Sequence, residues 1–163
     1  MMNIQQAQPP DAPMIASVLQ DAERWLAGGG RALWPAASIG HERVLQDTSV
    51  GLFHVARDGD QIVGVMKFEL EDAYFWPEVP PGTSAFVHKL AIRRAWAKRG
   101  VSTALLTYAR TRAQQLERAC LRLDCVADRQ GLRTFYEGFG FSLHSVVQKG
   151  ATSFARYELP TAG

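Results

Sequence analysis

Cysteine is scarce: there are two in 163 residues, Cys120 and Cys125. They fall five apart in a stretch that reads as one strand, so their side chains point to opposite faces. That excludes a disulfide scaffold. With no histidine beside them the two thiols make a poor metal site, no metal is expected, and buried packing is their expected role. Long apolar runs are also missing, and nothing approaches the about 18 consecutive apolar residues that a membrane-spanning helix needs. The start, Met1-Met2-Asn3-Ile4-Gln5-Gln6, is polar and lacks a cationic segment leading into an apolar one. No secretory signal and no membrane partner are therefore expected, and the cytoplasm is the expected location. An excess of one charge is lacking too: 18 basic residues stand against 16 acidic ones, net +2. Nucleic acid is not the expected partner of so balanced a chain.

What is present suits a folded α/β unit. Apolar residues are 47% of the chain, enough for a core that needs no metal or disulfide staple. With no repeat, low-complexity tract or linker, residues 1–163 are expected to form a single domain. Residues 4–8 suit a short strand. Asp11 suits a helix cap, with Pro13 in the first turn and Ile15, Val18, Leu19 and Ala22 at helical spacing up to Gly28-Gly29-Gly30. A second helix is expected over 41–46. Residues 52–57 and 62–70 read as strands around the turn Asp58-Gly59-Asp60. Residues 72–83, with Pro77, Pro80, Pro81 and Gly82, read as a loop. A strand follows over 84–92, then a basic loop, then a long helix with Val101, Leu105, Ala109, Ala113 and Leu116 on one face. Residues 120–126 read as a strand and 132–137 as a short helix closed by Gly138. Residues 143–148 and 153–159 form a closing hairpin, whose exposed edge suits pairing with a second copy as a homodimer.

The strongest chemical signal lies where the 84–92 strand passes into the long helix. Lys89, Arg93, Arg94, Lys98 and Arg99 place five cations in eleven residues with no acid among them. Small residues at Ala97, Gly100 and Ser102 precede the helix start. Amides at a helix start have no intrahelical partners and sit at the positive end of the macrodipole, which suits a phosphate. An ordinary turn with a solvated basic face has the same composition.

Order and spacing carry more. Leu90-Ala91-Ile92, the basic turn, and Gly100-Val101-Ser102-Thr103-Ala104-Leu105-Leu106 resemble motif A of the GNAT acyltransferase superfamily. Asp124 to Asp128 leading into Phe135-Tyr136-Glu137-Gly138-Phe139-Gly140-Phe141 resembles its motif B. The resemblance spans about residues 84–142 and implies one GNAT-like α+β domain. Its mixed central sheet would have about six to seven strands flanked by about four helices, the central strands splayed to hold coenzyme A. It further implies acetyl-coenzyme A as cosubstrate, with the pyrophosphate on Ala97, Lys98, Arg99, Gly100, Val101, Ser102 and Thr103. The pantetheine arm would pair with the backbone of Leu90, Ala91 and Ile92. Two departures stand out in motif A: Ala97 where the family usually has Gln or Arg, and Ser102 where it has Gly or Ala. In motif B, Arg129 replaces an Asn that often helps hold the cofactor.

For the reacting end, the resemblance places Tyr136 near the departing sulfur as general acid. Its phenol, with a pKa of about 10, suits protonation of a thiolate of about 8.5; a core aromatic beside Phe135 and Phe141 is the other role open to it. The family's usual strand glutamate is missing, since residues 84–92 hold no acid. That leaves His88, Glu69 or Glu71 as base, His54 as a weaker histidine of the same kind, or bulk water. Between Phe68 and Val87 the acids Glu69, Glu71, Asp72 and Glu78 occur without a Lys or Arg. That stretch suits attraction of a cationic amine, with Trp34, Phe75, Trp76 and Glu78 as candidate acceptor-lining residues beside Trp25 and Tyr74. Solubility and core coverage would explain the same residues. The expected function is acetyl transfer to an amine of a small molecule or a peptide or protein N-terminus, by direct transfer in a ternary complex. The alternative is a non-catalytic acyl-coenzyme A binding or regulatory module.

Overall fold

The computed structural model describes residues 2–28 and 34–162. In chain order its elements are β1 (Met2–Gln6), α1 (Ala12–Gly28), α2 (His41–Ser49), β2 (Phe53–Asp58), β3 (Gln61–Glu69), β4 (Ser84–Ile92) and α3 (Val101–Gln115). They continue with β5 (Cys120–Val126), α4 (Gln130–Phe139), β6 (Ser142–Lys149) and β7 (Thr152–Pro160). The seven strands take the order β1-β2-β3-β4-β5-β7-β6, the mixed α/β architecture that the sequence predicts. The β4–β5 ladder is parallel and needs a crossover, which α3 supplies.

Two compact units are present. The first holds Met1–Phe68 with Lys89–Tyr108. In it β1 pairs antiparallel with β2, and β2 with β3 through the Asp58-Gly59-Asp60 turn. Gly59 has a φ of 64° there, a left-handed conformation that a side chain resists. Ile15, Leu19, Val44, Phe53, Val55 and Val65 close the core of this unit without measurable exposure. The helical spacing of α1 and the near-continuous apolar run of β3 feed that core directly.

The second unit holds Glu69–His88 with Ala109–Gly163. β5 pairs parallel with the start of β4 through three rungs only, Ser84↔Cys120, Ala85↔Leu121 and Phe86↔Arg122. On its other side β5 pairs antiparallel with β7, and β7 with β6. Alternation along β5 buries Leu121, Leu123 and Cys125 and turns Cys120 to the opposite face, as the five-residue spacing requires.

Several boundaries differ from expectation. α4 starts at Gln130 and runs through Gly138 to Phe139. Its stop is Gly140, at φ 127°, whose amide donates to the carbonyls of Tyr136 and Glu137. α2 extends to Ser49, three residues past Gln46, with its second apolar turn supported by buried Val44 and Thr48. β1 lies at 2–6, where its partners on β2 are, and Leu116 falls just past the end of α3 and is exposed. α1 ends at Gly28; the rest of the glycine run expected to stop it lies outside the described residues.

Candidate active site

In the first unit β4 gives way to the basic loop at Arg93. Its amide donates to the Val63 carbonyl (2.9 Å) and its Nε to the Ile62 carbonyl (3.1 Å), which pins the loop to β3. A 3-10 turn over Arg94–Trp96 follows, then the exposed stretch 97–100. Lys98 and Gly100 both take left-handed conformations, φ 61° and 83°. The Gly100 carbonyl accepts the first bond of α3, from the Ala104 amide at 3.0 Å, so the amides just before Ala104 have no partner inside the helix. A Cβ added to Gly100 would meet nothing within 4 Å. The turn thus leaves the Gly100 backbone open on the side where a Cβ would stand. β3 lies close beneath: a Cβ on Gly64 would come within 2.8 Å of Val101, 2.9 Å of Ile92 and 3.2 Å of Leu105. Sequence reasoning passed over Gly64; a glycine in an otherwise apolar strand was the available signal.

The five cations of this segment do not form one uncommitted field. Arg93 Nη1 pairs with Asp21 at 3.2 Å, the Arg94 guanidinium lies 3.8 Å from the Trp25 ring centre, and that of Arg99 lies 4.7 Å from the Trp96 ring centre. Lys89 stands 6.0 Å from the ring of Trp34, whose own amide donates to the Glu23 carboxylate. Trp34 packs partly buried against the core of this unit. His54 is 1% exposed and shares a hydrogen bond of 3.1 Å with the Tyr108 hydroxyl, a core position that removes it as a base.

The second unit gathers His88 with two acids that the sequence reading left out of the site. Two residues beyond the last β4–β5 rung, matched register brings His88 opposite Asp124, with Nδ1 3.9 Å from Asp124 Oδ2. His88 Nε2 lies 2.9 Å from Asp72 Oδ2, and the three side chains are 20%, 9% and 7% exposed, in the order His88, Asp124, Asp72. Asp72 is itself fixed: its Oδ1 accepts the amides of Tyr74 and Phe75 at 3.2 and 3.0 Å. Burial lowers the proton affinity of His88, but Asp72, Asp124 and Glu69 outweigh it and raise the pKa above its ordinary value. Burial likewise pushes Asp72 up, and the His88 ring with the two amides holds it below the usual carboxylate value. One nitrogen and two carboxylate oxygens lie within 4.8 Å of one another here. Glu69 ends β3 half-buried, and Glu71 is exposed on the loop beyond.

Tyr136 is 5% exposed and packs edge-on against Phe141 and at a tilt against Tyr157. Burial, with Cys125 and Asp124 nearby, pushes its pKa up against the opposing charge of Arg129, so the phenol keeps its hydrogen. Arg129 caps the start of α4, and its Nη1 is buried without a hydrogen-bond partner. Burial first, then Asp124, raises Cys125 to about 11, and the thiol stays neutral.

The expected acceptor-lining residues are redistributed. Trp76 is 2% exposed, between the guanidinium groups of Arg122 (4.7 Å) and Arg156 (4.4 Å), so it belongs to the core and does not line an open pocket. Glu78 is held by Arg156. Phe75 packs edge-on against Phe154 and Tyr74 and lies 6.3 Å from the His88 ring. Lys149 donates to the Tyr74 carbonyl at 2.7 Å. Of the acids in that stretch, Glu78 is the one that Arg156 of β7 neutralises.

The first unit thus carries a strand, an open basic turn and a helix start, and the second a buried tyrosine and an acid-flanked histidine. The family model for the acetyltransferase (GNAT) family matches residues 15–141, and the chain belongs to that family. It is 25% identical over 152 residues to an uncharacterized N-acetyltransferase, YesJ, of Bacillus subtilis, which spans 90% of this chain and 84% of that protein. A GNAT-family acetyltransferase of Listeria monocytogenes shares the fold at a TM-score of 0.79 and 18% identity, covering 98% of this chain and 94% of that one. So does YncA of Salmonella typhimurium, a putative acetyltransferase solved with its cofactor acetyl-CoA, at a TM-score of 0.75 and 12% identity over 100% and 95% of the two chains. Among the described residues no helix is long and apolar enough to cross a membrane.

Proposed function

We propose that the chain moves an acetyl group from acetyl-coenzyme A to the amine of a small molecule or of a peptide or protein N-terminus, by direct transfer in a ternary complex. The observation that carries this is the open turn at the start of α3, where Lys98 and Gly100 are left-handed and nothing stands over Gly100. Ala97 to Thr103 would hold the pyrophosphate, with Lys98 and Arg99 adding charge in place of the side chain missing at Ala97. The backbone of Leu90 to Ile92 would pair with the pantetheine arm, and the unpartnered Nη1 of Arg129 offers it a further donor. Acetyl-coenzyme A supplies the activated acyl carbon and a thiol leaving group.

The acceptor nitrogen must shed a proton, and His88 takes it. Because the neighbouring acids favour the charged ring, the neutral form needed for this role grows in as pH rises, and transfer should strengthen on the alkaline side. Tyr136 faces the opposite demand. Its raised pKa makes full proton donation to a thiolate uphill, so its role is to donate a hydrogen bond as charge develops on sulfur. The acceptor class follows from the net negative surroundings of His88, which favour a cationic amine.

A thermal shift on adding acetyl-coenzyme A tests the first half of this proposal, since a ligand bound only to the folded state raises its stability. Thiol release with a panel of amines tests the second. Stabilisation without thiol release would leave a binding module, and faster turnover of an alcohol or hydrazine than of any amine would replace the acceptor class.

A further inference from the structure

The surroundings of His88 carry one step more, resting on the proposal that this ring takes the acceptor's proton. We infer that Asp72 and Asp124 are positioning residues: Asp72 fixes which ring nitrogen keeps its hydrogen, and Asp124 balances the charge that arrives on the other. Asp72 lies 2.9 Å from Nε2 and cannot swing away, because its second oxygen is bound to the amides of Tyr74 and Phe75. Repulsion between a ring lone pair and a carboxylate oxygen at that distance keeps the hydrogen of the neutral ring on Nε2 and leaves the lone pair on Nδ1. Nδ1 faces Asp124 at 3.9 Å, too long for a hydrogen bond but close enough for the carboxylate to stabilise a proton delivered there. The proton thus moves from the acceptor nitrogen to Nδ1, the ring becomes an imidazolium between two carboxylates, and release to water restores it. The charged groups around the ring come from three elements: Glu69 at the end of β3, Asp72 on the following loop and Asp124 on β5. The Phe75 ring packs beside it from the same loop as Asp72.

NMR titration of the imidazole signals in the full chain tests this, with the His88 signals identified by their loss in His88→Gln among the four histidines. Asp72→Asn should lower the His88 midpoint by about one pH unit or more, and Asp124→Asn by a smaller amount in the same direction. Nitrogen shifts of the neutral ring should report hydrogen on Nε2. Midpoints that stay within about 0.3 pH unit of the parent in both variants, or a neutral ring protonated on Nδ1, overturn the inference. Asp124→Asn sits on a regular strand, so it keeps the test decisive if Asp72→Asn disturbs its loop. The pH profile of kcat/KM, run in parallel, separates the two proposals. Midpoints that move while the kinetic limb stays put uphold the positioning role and remove His88 as base; unmoved midpoints remove the positioning role whatever the rate does.

Discussion

Arg156 on β7 grips Glu78 through two parallel bonds, Nη1 to Oε1 at 2.9 Å and Nη2 to Oε2 at 2.7 Å. The same guanidinium donates to the Phe75 carbonyl and, through Nε, to the Ser145 hydroxyl, at 2.8 Å each. Arg156 pulls the Glu78 carboxyl down to about 2, so it is ionised and committed at any working pH. Glu78→Gln should therefore change the KM for an amine acceptor by less than about twofold and stability by under about 1 kcal/mol, because Glu78 itself is half exposed and Gln keeps an acceptor for Arg156. Arg156→Met removes a buried hub and leaves the Phe75 carbonyl unpaired, at a cost of about 2–4 kcal/mol in urea unfolding. A large KM effect of Glu78→Gln would restore it as an acceptor ligand.

Tyr136→Phe keeps the ring packing against Phe141 and Tyr157 and deletes only the hydroxyl. The rate of thiol release should fall by about tenfold or more, the loss of one donor to developing charge. The dissociation constant for coenzyme A, measured by calorimetry, should stay within about twofold. Collapse of cofactor affinity with an unchanged rate per bound enzyme would make Tyr136 a packing residue.

The His88–Asp72 pair also shapes stability against pH. His88 has a folded pKa above the ordinary 6.5, so its contribution is complete below the unfolded value and is lost as pH rises through the folded one. Asp72, held below 3.8, contributes above that value, and its share is lost as pH falls through its folded pKa. The melting temperature of the parent chain should therefore decline as pH climbs past about 6.5, and His88→Gln should flatten that decline. Parallel profiles for the two proteins would mean that the ring gains no proton affinity from the fold.

Gly64 connects packing to the turn before α3. Its replacement by Ala drives a methyl into Val101 and Ile92, at the start of α3 and the end of β4. Overpacking of this kind costs about 1–3 kcal/mol. Because the displaced groups carry the loop, coenzyme A affinity should fall alongside the melting temperature. Gly100→Ala separates the two effects: it meets no neighbour, strains a φ of 83°, and should cost about 1–2 kcal/mol.

The β4–α3 crossover was legible in the sequence because both of its signals are local: an apolar strand, then buried positions at helical spacing from Val101 to Ala113. The open turn at Gly100 was legible for the same reason. Trp76 was not, since its proline-rich surroundings read as exposed loop while Arg122 and Arg156, far along the chain, enclose it. Counting acids between Phe68 and Val87 likewise did not show that Glu78 is held by Arg156, which reaches that loop from the closing hairpin. Asp124 was in plain view within motif B, yet its relation to His88 needs the β4–β5 register, and Asp72 needs the turn that its own side chain builds. Local pattern shows which residues a segment presents; pairing across strands decides which charges meet.

The placement of β7 between β5 and β6 has a consequence for how the second unit is made. β7 is the last of the seven strands to leave the ribosome, yet it supplies the hydrogen-bond partners of both its neighbours. Until it arrives, β6 has no neighbour and β5 keeps one edge bare, so both are exposed to wrong pairing. Synthesis that stalls before residue 152 would strand Asp124 and Tyr136 on an unfinished scaffold. Completion of the sheet around Asp124 and Tyr136 therefore waits on the strand that arrives last.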